Sequence, residues 1–260
     1  MKSIWQQIFD RNKNQNQKPK DRSQYGLGKK EFKFDSKVFQ MKDLTTALPS
    51  PPAAINWAPE FKSWPMLDND TLGNCTIASK LHAIQVWVQQ HPPYNPTSKT
   101  ALSYYEKWCG YVQGDPSTDN GDTIQDVLEK WRQQKLDTHV LAAWADPNPL
   151  DVKHIMQSIA FFGGVDIGLQ LPVSAQNQDV WDVVNPDGGV WGGHDVYCYG
   201  YNETGPICAT WDEVKQMTWG FWAKYCDESH CLLGNAWDPS AKLDEITYNN
   251  FKSDLGLVAN

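Results

Sequence analysis

The sequence predicts an α+β fold in which a helical half is followed by a half rich in β-strands. Helical patterns dominate residues 75–162, whereas short runs of β-branched and aromatic residues, separated by Gly, Pro and Asn, dominate the following stretch. Thirteen Trp residues indicate a well-filled core, because so large a ring needs deep packing or the face of a ligand. Two halves of different structure predict a cleft between them, which is a usual place for a ligand to bind.

The strongest helical pattern runs over residues 75–91, where apolar residues recur with helical spacing until Pro92 ends the helix. The remaining helices are predicted over residues 100–108, 122–135, 151–162 and 213–228. The strands are predicted over residues 165–171, 194–201 and 207–210. These elements put the boundary between the two halves near residue 145.

The beginning of the chain differs from the rest, so residues 1–48 are predicted to be a basic tail and linker ahead of a domain of residues 49–260. This domain divides into a helical half, residues 49–145, and a β-rich half, residues 146–260. The first 30 residues carry eight Lys or Arg and two Asp, a balance of +6 that leaves −14 for the remainder. Helical spacing predicts an apolar face made by Ile4, Trp5, Ile8 and Phe9. We expect this face to dock on its own domain, on a partner protein or on a membrane interface, and one hypothesis is that the tail restricts access to the cleft.

Composition excludes several classes of function. The net charge of −8 and the isoelectric point of about 5.2 argue against a nucleic-acid partner. No stretch approaches the roughly 18 apolar residues of a membrane span. The N-terminus lacks the apolar region of a conventional secretory signal, so we expect a cytoplasmic protein or one exported by another route. The six Cys residues form no C-x-x-C pair and are expected to be reduced.

A candidate nucleophile, Cys75, stands at the start of the strongest predicted helix, in the stretch from Asn69 to Cys75. Free N–H groups and the helix dipole stabilise a thiolate at such a position. A nucleophilic Cys also needs a base, and His194 is the best candidate because it follows Gly192-Gly193 at the start of a predicted strand.

These motifs resemble those of the papain-like cysteine peptidases, in a divergent, bacterial-type form, over about residues 50 to 235. Asn69-x-x-x-Gly73-Asn74-Cys75 resembles the family's nucleophile motif, and Gly193-His194 resembles its catalytic-His strand. Further matches are Leu102-Ser103, the turn Asn120-Gly121-Asp122, the strand Gly164-Val165-Asp166-Ile167 and the stretch Ala209-Thr210-Trp211. The resemblance implies a nucleophile helix packed on the β-rich half, and a Trp211 ring that shields the imidazole.

The sequence departs from the family pattern at three positions. Asn69 stands where the family has the oxyanion-hole Gln, although its amide can still donate a hydrogen bond. Ala209 stands where the family has the Asn that orients the imidazole, so we expect Thr210 or Asp212 to hold the ring. Leu72 replaces a disulfide Cys, which fits reduced thiols.

The resemblance implies hydrolysis of peptide bonds in a peptide or protein substrate. A Cys75 thiolate paired with protonated His194 would attack the carbonyl, while the Cys75 N–H and the Asn69 amide hold the oxyanion. Two alternatives remain open: a papain-fold binding module with weak or no turnover, favoured by the missing Asn, and a transglutaminase-like acyltransferase that uses the same Cys–His pair.

The remaining chemistry-bearing residues have a structural interpretation. Cys226 and His230 would share a helix face, but without a C-x-x-C pair they do not predict zinc, and no metal or cofactor is expected. Asp68, Asp70 and Asp195 are interpreted as solvated loop acids, with the alternative that their negative charge suits cationic substrates.

Overall fold

The structure is a computed structural model that describes residues 21–35, 38–44, 47–88, 94–237 and 243–256. It confirms the α+β class, since these residues form six α-helices and an eight-stranded sheet. Among them, no helix combines the length and apolar character needed to cross a membrane.

The helices lie mainly before the long strands in the chain. They are α1 (Cys75–Trp87), α2 (Ser98–Cys109), α3 (Ile124–Gln133), α4 (Val152–Phe162), α5 (Trp219–Tyr225) and α6 (Glu245–Asp254). The strands are β1 (Ile55–Asn56), β2 (Leu141–Ala145), β3 (Val165–Pro172), β4 (Val180–Trp181), β5 (Val190–Tyr201), β6 (Pro206–Thr210), β7 (Glu213–Met217) and β8 (Cys226–Gly234). The sheet has the order β2-β8-β3-β5-β6-β7-β4, with β1 paired to β5, and only the β4–β7 pair is parallel.

Helix α1 is the central helix of the fold, and all of its residues are buried. It packs against β5 and against α2 and α3, which explains why polar residues within it are also removed from water. Strand β5 alternates between two apolar clusters: Tyr197 and Tyr199 face the cluster around α1, whereas Val196 and Cys198 face the cluster beneath α5. The fold thereby brings the N-terminus of α1 to the beginning of β5.

The predicted helix over residues 213–228 is wrong. Its first part is β7, which pairs with β6; its middle is the short α5; and its end begins β8. Thr218 separates β7 from α5 by accepting a hydrogen bond from the Phe221 N–H, as a helix N-cap does. The predicted helices over residues 100–108, 122–135 and 151–162 correspond to α2, α3 and α4, whereas β2, within the expected helical half, and α6 were not predicted.

Candidate active site

Cys75 is the first residue of α1, as the sequence predicts, and it is completely buried. The turn before it is held by Asp119, whose carboxylate accepts a hydrogen bond of 3.0 Å from the Gly73 N–H. Burial, together with the negative charge of Asp195, raises the pKa of the thiol to about 11, while the positive charge of Lys80 opposes the increase. Desolvation therefore favours the thiol over the expected thiolate in this arrangement.

His194 is also completely buried, near the beginning of β5. Its ring stacks on Trp211 with a centroid distance of 4.5 Å, and its Nε2 lies 2.7 Å from the Thr210 hydroxyl. Its Nδ1 has no hydrogen-bond partner within the described part of the chain. Burial, with a smaller contribution from His82, lowers the pKa of the imidazole to about 3, which favours the neutral ring.

Of the two residues expected to hold the imidazole, the structure brings Thr210 to the ring. Asp212 bonds neither ring nitrogen, since one faces Thr210 and the other has no partner in the described residues. The backbone turns sharply between them, because Trp211 has a left-handed φ of +49°. That conformation is uncommon for a bulky residue, and it accompanies the stacking of the Trp211 ring on the imidazole.

Asn69 lies in the loop that leads to α1 and is buried. The two residues before it, Leu67 and Asp68, have left-handed φ values of +58° and +60°, which is a strained backbone for non-glycine residues. The Asn69 amide donates one hydrogen bond, of 3.2 Å, to the Leu72 carbonyl oxygen. An amide nitrogen carries a second N–H, so Asn69 has a further donor to offer.

A buried charge cluster beneath this site was not predicted. Lys80 of α1 lies 2.5 Å from both Asp166 of β3 and Asp195 of β5, and all three side chains are fully buried. The Ser79 hydroxyl also donates to Asp166, at 2.7 Å. The interpretation of Asp195 as a solvated loop acid is therefore wrong, since strand alternation turns it towards α1. A local hint was the position of Lys80 within the strongest predicted helix, although nothing in the sequence pairs it with Asp166 or Asp195.

The segment of residues 26–30 runs between the two walls of the cleft. Gly28 is wedged against Gly73 and Gly121: a Cβ added to Gly28 would lie 1.7 Å from the Gly73 carbonyl oxygen. On the helical side, Asp122 donates its N–H to the Gly28 oxygen and accepts from the Lys30 N–H, both at 3.0 Å. On the other side, the Lys29 N–H donates to the Gly193 oxygen at 3.1 Å.

Side chains that precede residues 26–30 also anchor this part of the chain. Arg22 forms an ion pair of 2.6 Å with Glu213, and Tyr25 meets Trp211 edge-on at 5.2 Å. The predicted apolar face at residues 4–9 lies outside the described residues.

Lys29 anchors the segment in an acidic pocket, by which we mean Gly168, Asp227 and Glu228. Its Nζ lies 2.9 Å from Asp227 and 2.8 Å from Glu228. Behind this pocket, His230 pairs with Asp146 at 2.6 Å and with Glu228 at 3.1 Å. His230 and Cys226 lie on β8 rather than on a helix, so their expected placement is corrected.

Comparison with solved structures establishes the fold. No protein-family model and no curated protein matches the sequence. The structure is similar to xylellain, a cysteine protease from Xylella fastidiosa, with a TM-score of 0.64 and 15% identity, covering 84% of this chain and 98% of that one. It is similar to digestive procathepsin L 3 of Tenebrio molitor larval midgut, with a TM-score of 0.54 and 9% identity, covering 87% of this chain and 86% of that one.

A third similar structure contains the cysteine protease and lectin-like domains of Cwp84, a surface-layer-associated protein of Clostridium difficile. Its TM-score is 0.54 and its identity 11%, and the match covers 89% of this chain and 59% of that one. The resemblance to papain-like cysteine peptidases is therefore confirmed at the level of the fold.

Proposed function

We propose that this protein is a papain-like cysteine peptidase that hydrolyses peptide bonds, with Cys75 as nucleophile and His194 as base. The arrangement of the imidazole carries the proposal. Nε2 is engaged by Thr210, Nδ1 has no partner within the described residues, and Asp195, the residue after His194, lies close enough to Cys75 for its charge to raise the pKa of the thiol. A Cys–His pair oriented by a third group is the arrangement that nucleophilic catalysis requires.

The chemistry follows from these positions. With Nε2–H donated to Thr210, Nδ1 keeps the lone pair that accepts the thiol proton, and the resulting thiolate attacks the substrate carbonyl. The first-turn N–H of α1 and the Asn69 amide donate to the oxyanion, and one such donor contributes on the order of 10²-fold to the rate. The imidazolium then protonates the leaving amine, and water hydrolyses the thioester with His194 again acting as base.

We further propose that residues 21–35 keep the enzyme in a covered, inactive state. This extends the expected docking of a tail, residues 1–48, on a domain of residues 49–260. The glycine packing of Gly28 and the anchors Arg22 and Lys29 support it. With the segment in the cleft, a substrate cannot use the same backbone groups. Removal of the segment would hydrate Cys75 and His194 and allow the thiolate–imidazolium pair to form.

The test uses the full chain with Gly28→Ala, because the added methyl group collides with the Gly73 backbone only while the segment occupies the cleft. Overpacking of this kind costs about 1–3 kcal/mol or more, so we expect hydrolysis of fluorescein-labelled casein to rise about 10- to 100-fold over the unaltered protein. Gly220→Ala is the matched control, since its Cβ would make only ordinary contacts, the nearest at 3.6 Å.

Adding Cys75→Ala to the Gly28→Ala protein should abolish the hydrolysis. Rapid alkylation of Cys75 without any casein hydrolysis would instead favour the binding-module alternative. Conjugation of an added amine to the substrate in place of hydrolysis would favour the acyltransferase alternative. Equal and undetectable reactivity in all variants would contradict the proposed function itself.

A further inference from the structure

The most specific contact between the segment and the cleft is made by the Lys29 side chain. It is fully buried, and its ammonium group lies within 3 Å of both Asp227 and Glu228. A Cβ added to Gly168 would lie 2.0 Å from the Lys29 Cε. The absence of a side chain at Gly168, which pairs with Glu228 across the β3–β8 ladder, therefore makes the room that this basic side chain fills.

The carboxylates of the acidic pocket have supports that do not involve Lys29. Gln170 donates to Asp227 at 2.8 Å, and His230 holds the second oxygen of Glu228 at 3.1 Å. His230 is held in turn by Asp146. We therefore expect both carboxylates to keep their positions when Lys29 leaves.

When Lys29 leaves, the buried carboxylate oxygens of the acidic pocket need another positively charged partner. Glu228 is 2% exposed, and apart from Lys29 its Oε1 has no hydrogen-bond or ion-pair partner in the described part of the chain. Asp227 has a second buried oxygen, Oδ1, that no described residue satisfies. A buried carboxylate without a partner is costly, and an ammonium or guanidinium group meets this need with donors of the right charge.

The pocket opens beside the candidate nucleophile. Gly28 packs against the backbone of Gly73, two residues before Cys75, and Lys29 is the residue after Gly28. The backbone groups that hold this part of the segment, the Gly193 oxygen and both polar groups of Asp122, become free when it leaves. A peptide that binds the same groups would present one of its side chains to the pocket, close to the bond under attack.

We infer that the acidic pocket selects substrates that carry a Lys or Arg side chain within three residues of the scissile bond, and that Lys29 is the chain's own occupant of this specificity pocket. The inference rests on the proposed peptidase function of Cys75 and His194. It assigns the substrate class from the charge of the site, because a neutral or acidic side chain would leave the buried Oε1 of Glu228 without a partner among the described residues.

The first experiment maps cleavage sites by mass spectrometry after the full-chain Gly28→Ala protein digests a mixed peptide library. One position within three residues of the scissile bond should be enriched in Lys and Arg by about tenfold over Leu. Adding Asp227→Asn or, separately, Glu228→Gln should reduce that enrichment. Glu106→Gln, an exposed carboxylate on α2, is the matched control and should preserve it. Cleavage with no basic preference, or a preference that survives both pocket variants, would overturn the inference while leaving the peptidase proposal intact.

The second experiment needs no turnover. A synthetic peptide of residues 21–35 is added to the Gly28→Ala protein, and protection of Cys75 from iodoacetamide is measured against the same peptide with Lys29→Leu. The unaltered peptide should protect at a concentration about tenfold lower. Protection that depends on Lys29 in a protein that hydrolyses nothing would support the pocket and contradict the peptidase proposal. Equal protection by both peptides would overturn the pocket.

Discussion

Two adjacent residues of one segment cover buried sites of opposite electrostatic character. Beneath Gly28, burial holds Cys75 and His194 in their neutral forms, with pKa values of about 11 and about 3. Around Lys29, burial alone would lower the pKa of the ammonium group, but the charges of Glu228 and Asp227 outweigh it and raise the pKa. Both sites are buried, and they differ in whether neighbouring charges stabilise the charged form of the buried group.

This difference indicates how the segment keeps the proposed peptidase inactive while leaving its folded active site intact. Desolvation acts on both sites, but in the acidic pocket the carboxylate charges oppose its effect on Lys29, whereas at Cys75 the charge of Asp195 adds to it. The anchor and the inhibited pair are thus separate: ion pairs hold Lys29, and the loss of water keeps Cys75 and His194 neutral. Predictions that change one site and leave the other intact test this separation.

The largest effect is expected from Lys29→Met, which keeps the aliphatic packing and removes the charge. Loss of one partner of a buried ion pair costs about 3–5 kcal/mol, so uncovering of the cleft should increase by about 10²-fold or more. The measurement is the rate of Cys75 alkylation by iodoacetamide in the full chain, read by mass mapping with Cys226 as internal reference.

Lys30→Met is the matched control for this prediction. The Lys30 side chain is 48% exposed and lies 3.9 Å from Asp122. An exposed pair of this kind contributes about 0–1 kcal/mol, so the alkylation rate should change only a few-fold. Similar rates in the two variants would show that the acidic pocket does not anchor the segment.

An intermediate effect is expected from pH. In the covered state the pKa of His194 is about 3, and after uncovering it should return towards the ordinary 6.5. The uncovered state then binds the proton more tightly, so acidification from about pH 6.5 favours uncovering by up to tenfold per pH unit. Glu228 acts in the same direction below about pH 4.5. Burial raises its pKa, but His230 and Lys29 together outweigh burial and lower it. The ionised carboxylate therefore stabilises the covered state, and this stabilisation is lost as the pH falls.

The pH prediction is checked with 2,2′-dipyridyl disulfide, which remains reactive towards thiols in acid. Labelling of Cys75 relative to Cys226 should increase between pH 7 and pH 4 in the unaltered protein. In the Gly28→Ala protein, where the cleft is already uncovered, the increase should be absent. A Cys75 that becomes better protected in acid would contradict the assignment of a neutral, desolvated His194.

The parts of the site that could be predicted from sequence are those with local signals. A Cys before an apolar helical pattern and a His after two glycines mark Cys75 and His194. The structure puts Cys75 at the first position of α1, as expected, and His194 at the fifth position of β5 rather than at its start. The sequence left two candidates, Thr210 and Asp212, for the group that holds the imidazole. The left-handed turn at Trp211 decides which of them faces the ring. The roles of these residues stay predictions.

The rest depends on contacts between distant parts of the chain. Lys80, Asp166 and Asp195 come from three different elements, and no one of those stretches indicates a buried charge cluster. The acidic pocket likewise joins Lys29 to residues about 200 positions away. Over residues 213–228, apolar and aromatic residues fit a helical pattern, but hydrogen bonding of β7 to β6 outweighs that local preference.

The smallest effect is expected at Thr210, and it distinguishes positioning from packing. Thr210→Ala removes the 2.7 Å contact with Nε2 of His194, and a hydrogen bond of this kind contributes about 1 kcal/mol, so kcat should fall about five- to tenfold in the Gly28→Ala protein. KM should change less, because the hydroxyl faces the imidazole rather than the cleft backbone that binds substrate. Thr210→Ser keeps the hydroxyl and should restore kcat, whereas a loss caused by the missing methyl group would persist in it. The pH profile of kcat/KM gives a second readout. An imidazole without its Nε2 partner loses the contact that stabilises its protonated form, so the imidazolium of the thiolate–imidazolium pair should lose its proton at lower pH and the alkaline limb should move to lower pH. An unchanged kcat and profile in Thr210→Ala would show that stacking on Trp211 alone orients the ring.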